Sequence, residues 1–193
     1  MIKPTYDNFE AKRSSGIMTL PPVGAYVGEI QEVKTENLFD HTVISTMVEI
    51  TEGEYKNRYH EVYKDQDEKF GNAKYKGVFR IIVPNQDDES WRRSTFEGNL
   101  WAVQQSNPGY SWDWDEKKLK GKKVGINVRK YLYTWKDEDR ETTEIGQFEP
   151  VNDVREGKCK TLKPRDKRSK GESADSTDGK EFTDVSNTVS VPW

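Results

Sequence analysis

The chain has few of the residues that most often carry chemistry. Of its 193 residues, one is a cysteine, Cys159, and two are histidines, His41 and His60. A lone cysteine excludes an internal disulfide and fits a reducing compartment. With only two imidazoles beside it, there is no ligand set for a structural zinc. The lysines around Cys159 are of the kind that lower a thiol pKa, but no shaped pocket is legible around it and no nucleophilic role is assigned. Aliphatic residues are also scarce. The hydrophobic set makes up 32% of the chain against 34% charged residues, too little for a large all-buried core. No run approaches the ~18 apolar residues of a membrane span, and the first residues show no apolar leader segment, so no membrane association or secretion is expected. Phosphate-binding glycine loops, nucleophile elbows and HExxH helices are absent. No metal, no cofactor and no enzymatic activity are therefore expected.

Aromatics are plentiful by contrast, with 6 Trp, 9 Tyr and 7 Phe. Disordered chains are poor in aromatics, so part of this one folds around them or uses them. The net charge of −3 hides a strong segregation. Residues 117–130 hold seven bases and no acid, and residues 155–170 hold eight bases and two acids. Residues 171–193 hold five acids and one lysine.

Periodicity predicts short strands and one helix. Gly24–Val33 reads as a bent strand with Gly28 as a candidate kink. Thr42–Ile50 alternates Ile44, Thr46, Val48 and Ile50 against the opposite face. Asn57–Lys64 alternates Tyr59, Glu61 and Tyr63 and predicts a third strand, whereas the type of 76–83 stays open. From Glu89 to Ser106, Phe96, Leu100 and Val103 recur at helical spacing, with Asn107-Pro108-Gly109 as the stop. Lys122–Tyr133 sets Val124, Ile126 and Val128 on one face. The later shift to Tyr131, Tyr133 and Trp135 predicts a bulge after Lys130. Thr142–Val151 returns after a polar turn.

The expected fold is mainly β: a five-stranded Greek-key OB-fold barrel with one helix between strands 3 and 4, plus a disordered C-terminal tail. Residues 1–20 read as an N-terminal arm, 21–160 as the nucleic-acid-binding domain and 161–193 as a flexible tail, with 164–180 as solvated linker.

Unpaired nucleic acid needs cations along its phosphates and flat side chains under its bases. Lys122, Lys123, Arg129 and Lys130 run into Tyr131, Tyr133 and Trp135, and the expected third strand adds Arg58, Tyr59, Tyr63 and Lys64. These are the candidate DNA-binding residues; the plain alternative is cross-strand packing beside a solvated lysine face. Trp112 and Trp114 would share a face if extended, but Asp113 and Asp115 beside them repel phosphate, so packing is expected there. Trp101 falls off the core face of its helix, so it either packs on the N-terminal arm or marks a contact surface. Acids at Asp65-Gln66-Asp67-Glu68, at Asp87-Asp88-Glu89 and at Asp113, Asp115 and Glu116 are the material for a competing reading, a metal-dependent nuclease. A third reading is a protein-only adaptor or inhibitor. In the acidic tail, Phe182, Asp184, Val191, Pro192 and Trp193 read as a short docking segment for a partner protein.

The stretches LPPVGAYVGEIQEVK, VISTMVEITEGEYKNRY and NLWAVQQSNPGYSWDWDEKKLKGKKVGINVRKY resemble small OB-fold single-stranded-DNA-binding proteins of phages and prophages of Gram-positive bacteria. The resemblance covers roughly residues 20–160. It implies nonspecific binding of single-stranded DNA in phage replication, recombination or repair, in the cytoplasm of a bacterial host. It also implies recruitment of phage or host replication and recombination proteins through the tail. The Val191-Pro192-Trp193 ending departs from the Asp-Pro-Phe-like ending of bacterial single-stranded-DNA-binding proteins. An exposed strand edge is compatible with a monomer or a homodimer.

Overall fold

A computed structural model describes residues 18–38 and 40–168. Most of the expected arm and the docking residues Phe182, Asp184, Val191, Pro192 and Trp193 lie outside the described residues. The fold is mainly β, a strongly curled half-barrel sheet with few helices.

In chain order the elements are β1 (Gly24–Leu38), β2 (His41–Ile50), α1 (Arg58–Phe70), β3 (Val78–Ile82), α2 (Ser90–Ser106), β4 (Lys123–Trp135), β5 (Glu138–Glu149), α3 (Val151–Arg155) and β6 (Arg165–Lys167), with a 3-10 turn at Glu116–Leu119. The strands run in the order β3-β2-β1-β4-β5, each pair antiparallel. β6 adds in parallel to the end of β4. β1 pairs with β4 only as far as Val128, so the edge of β4 beyond that point is left for β6 at Tyr131–Tyr133.

The inward face is the aliphatic one. Val124, Ile126 and Val128 are fully buried against Ile30, Val48 and Ile50. At roughly 1.5–3 kcal/mol per buried aliphatic, slipping β4 by one residue would forfeit an amount comparable to the net stability of a domain, which pins its register. On α2, Phe96, Leu100 and Val103 face this core as their spacing predicts. α2 covers the open side of the half-barrel. There the Asn99 side-chain oxygen accepts the backbone N–H of Phe148 at 2.8 Å, serving an edge of β5 that has no further strand beside it among the described residues.

Several expectations are corrected. Asn57–Lys64 is not a strand but the start of α1, and the third strand is β3. The helix forms because Glu49 of β2 reaches its first turn. Its Oε1 accepts from Tyr59 N–H at 3.1 Å and its Oε2 from His60 N–H at 2.7 Å. Asn57 turns the chain in left-handed conformation and Gly71 ends the helix in the same way. Tyr59 and Val62, three apart, then point into the core. Tyr59 packs so closely that a Cβ on Gly77 would lie 2.8 Å from its ring, so Gly77 is a position only glycine fits. Gly28 is not a kink; the irregularity of β1 falls at Gln31, between the pairs Ile30–Val48 and Glu32–Met47. No bulge follows Lys130 in β4. The irregularity lies opposite Asn127 and Val128, where Gly146 is the extra residue of β5. Among the described residues the sheet has six strands rather than five, and α1 and α3 join the single helix expected. Finally, 164–168 is not free linker, since Arg165–Lys167 is β6.

Candidate nucleic-acid interface

The half-barrel leaves its last strands, β3 and β5, without a second neighbour among the described residues. At one end the gap between them is bridged by Phe79 and Phe148, whose ring centroids are 4.6 Å apart. Beyond that contact it opens into a cleft of about 590 Å³. The cleft is walled by β3, by the first turns of α2, by Arg129 of β4, by Glu144–Gly146 of β5 and by β6.

Five cations line it, Arg80, Arg92, Arg129, Arg165 and Lys167, against two acids, Glu144 and Asp166. Several are held in place by neighbours. Arg92 meets Asp88 at 2.9 Å and the ring of His41 at 2.9 Å. Arg129 donates to Glu144 at 2.8 Å, and Arg165 approaches the same carboxylate at 3.6 Å. Such pairing holds the plane of a guanidinium in a fixed orientation. Arg80 differs, because its buried Nε has no hydrogen-bond partner. A guanidinium on an edge strand with an unmet donor is costly unless an acceptor arrives from outside.

Aromatics continue the cationic wall. Trp91, 52% exposed, stands at the mouth with Arg92 5.3 Å above its ring. Along β4, Arg129, Tyr131, Tyr133 and Trp135 alternate onto one face. Tyr131 and Tyr133 are stacked at 5.5 Å and 15°, Arg165 lies 5.7 Å over Tyr131, and Trp135 is exposed. The β4–β5 hairpin thus carries a row of flat side chains out from the cleft.

The sequence-predicted residues fall in three places. Arg129, Tyr131, Tyr133 and Trp135 belong to the cleft and hairpin face, while Lys130 lies on the opposite face, paired with Glu141 at 3.0 Å. Lys122 and Lys123 sit at the other end of β4, where the Lys122 ammonium is 4.7 Å over Tyr110. Seven residues at ~3.3 Å each separate Lys122 from Arg129 along the chain, so the two lysines are not part of the cleft. Arg58, Tyr59, Tyr63 and Lys64 are on α1, none of whose residues lines it. Tyr59 is a core residue, and Tyr63 packs on Tyr75 at 6.2 Å. Arg80, Trp91, Arg92, Arg165 and Lys167 went unassigned by the sequence; the second basic block held a signal for the last pair, at alternate positions.

The Trp112-Asp113-Trp114 segment is not extended. Trp112 packs edge-on to Phe96 at 6.4 Å, and its backbone N–H donates to Gln104 at 2.7 Å. Trp114 adopts φ 67°, a left-handed conformation that costs a bulky residue about 1–2 kcal/mol. Trp101, by contrast, sits on a regular helix and is 52% exposed. At Cys159, burial and then the nearby Glu149 and Asp153 push the thiol up to about 11, the reverse of the lowering that its lysine-rich neighbourhood suggested.

The acids of the nuclease reading are separately engaged, the first of them on α1 rather than in a loop: Asp65 with Lys69 at 2.6 Å, Asp88 with Arg92, and Asp113 with Lys118. Among the described residues no group of three or more His, Cys, Asp or Glu could hold a metal ion, and no helix is long and apolar enough to cross a membrane. No family model matches the chain, and no curated protein matches it.

Proposed function

We propose that this protein binds single-stranded DNA with little sequence preference, through the β3–β5 cleft and the adjoining face of the β4–β5 hairpin. The observation that carries the reading is the junction of five cations with the exposed rings of Trp91 and Trp135 and the half-buried ring of Tyr133. Phosphates would follow the arginines and Lys167, while bases would lie on Trp91, Tyr133 and Trp135, with the buried Tyr131 supporting Tyr133 from beneath. Rings in such a row engage unpaired bases, because the faces of duplex bases are already stacked on one another.

The architecture supports an OB-type barrel. The spatial order β4-β1-β2-β3 agrees with a Greek key, α2 lies between β3 and β4, and OB barrels are partly open. The resemblance to phage single-stranded-DNA-binding proteins adds the setting, DNA replication or recombination in the host cytoplasm, with the acidic tail as a docking segment for other proteins.

Anisotropy titration of labelled oligo-dT, oligo-dA and a duplex at several salt concentrations tests the binding. Both single strands are expected to bind within a few-fold of each other and ahead of the duplex. Three to four neutralised phosphates would give a salt slope of about −2 to −3. No anisotropy change with either single strand at low salt would overturn the reading.

A further inference from the structure

Trp114 is an exposed indole held where its backbone is strained. The residue is 69% exposed at φ 67°, so the strain secures little burial. The other non-glycine residues at positive φ among the described residues are Asn57, Lys136 and Asp137, polar residues in turns. One face of the indole lies on Phe96, with ring centroids 5.9 Å apart and planes 24° from parallel. Phe96 also lines the cleft. Trp112, its ring centroid 6.0 Å away and tilted by 57°, braces the arrangement. The outward face of Trp114 is therefore a fixed flat surface one ring removed from the cationic cleft.

The two flanking acids that would repel phosphate are engaged by one cation. Lys118 bonds Asp113 and lies 3.8 Å from Asp115, and Asp115 also accepts the backbone N–H of Lys117. That pairing reduces the repulsion expected from the sequence.

We infer that Trp114 is a base-stacking platform, taking an unpaired nucleobase at the α2 side of the cleft while Tyr133 and Trp135 take bases on the opposite side. The inference rests on the single-strand reading above and extends the bound strand across α2. An apolar protein partner would use the same ring without needing the phosphates beside it. The continuity of Trp114 with the cleft through Phe96 favours the nucleic acid.

The test compares the full chain with Trp114→Gly, Trp114→Asn and Trp114→Phe, titrated with oligo-dT and with an abasic strand of equal length. Glycine and asparagine both tolerate the left-handed backbone, so both variants should fold, with melting temperatures near that of the unaltered chain. One lost stacking contact should weaken oligo-dT binding about tenfold in these variants. The phenylalanine variant should retain most of the affinity, and the abasic strand should bind all four proteins equally. Unaltered oligo-dT affinity in folded Trp114→Gly or Trp114→Asn would overturn the platform. Equal losses on oligo-dT and the abasic strand would also overturn it. Failure of the unaltered chain to bind oligo-dT would remove the single-strand reading itself, and the platform with it.

Discussion

Replacing Arg80 and Lys167 together by alanine is expected to weaken oligo-dT binding about a hundredfold at low salt. Both line the cleft, one on each side: Arg80 on β3 and Lys167 on β6. Neither forms an ion pair with another described residue, so their removal leaves no acid unpaired. A charge-assisted hydrogen bond contributes roughly 1.5–3 kcal/mol. Two lost at the lower figure give about 3 kcal/mol, and 1.4 kcal/mol is tenfold in affinity. The salt slope should become shallower by about 1.4, since each phosphate contact on a single strand contributes about 0.7. Arg129 and Arg165 are poorer choices for this test, because removing either would strip Glu144 of a partner. Affinity and slope unchanged in the double variant would take the cleft out of the phosphate path. Replacing Lys122 and Lys123 makes the matching control, with little loss expected.

The second large effect concerns stability. Glu49→Ala should lower the unfolding free energy by about 3 kcal/mol, and the melting temperature by about 9 °C at the ~2–4 °C per kcal/mol usual for a chain of this length. The carboxylate is buried and its oxygens are fully used. Oε1 accepts from Ile50 N–H at 2.9 Å as well as from Tyr59, and Oε2 accepts from the Tyr75 hydroxyl at 2.8 Å as well as from His60. Alanine would strand the buried N–H groups of Ile50 and Tyr59, each at about 1–3 kcal/mol when no water reaches it, whereas the Tyr75 hydroxyl keeps the Val48 carbonyl at 3.0 Å. Glu49→Gln should recover little, because its amide nitrogen would face another donor. Burial and the Glu49 charge hold the Tyr75 hydroxyl well above the usual tyrosine range, so it stays a donor through ordinary pH. Because α1 lies outside the cleft, the variant should still bind oligo-dT below its melting temperature. Thermal unfolding checks the first statement and titration the second. A melting temperature within 2 °C of the parent would show that Glu49 does not cap α1.

These two cases mark where the sequence could and could not be read. β1, β2, β4, β5 and α2 were legible because local periodicity decides them: Val124, Ile126 and Val128 need only alternation, and Phe96, Leu100 and Val103 only helical spacing. α1 was misread as a strand because Tyr59, Glu61 and Tyr63 alternate. The acceptor that starts the helix comes from Glu49 in another element, and no local pattern reports that. β6 was hidden for a related reason. Arg165–Lys167 has no apolar pattern and becomes a strand only because β1 leaves the edge of β4 vacant after Val128. The candidate site divides along the same line. Arg129, Tyr131, Tyr133 and Trp135 lie on one strand and could be grouped from sequence alone. Arg80, alone in an apolar run, joins them only when the curl of the sheet brings β3 near β5.

Amide hydrogen exchange with and without saturating oligo-dT tests the central claim most directly, because it reports where the strand lies. The account predicts slowed exchange in 78–82, 90–96, 129–146 and 165–168, with 58–70 and 122–124 unchanged. Protection centred on α1 and the start of β4, with the cleft and hairpin unaffected, would contradict it.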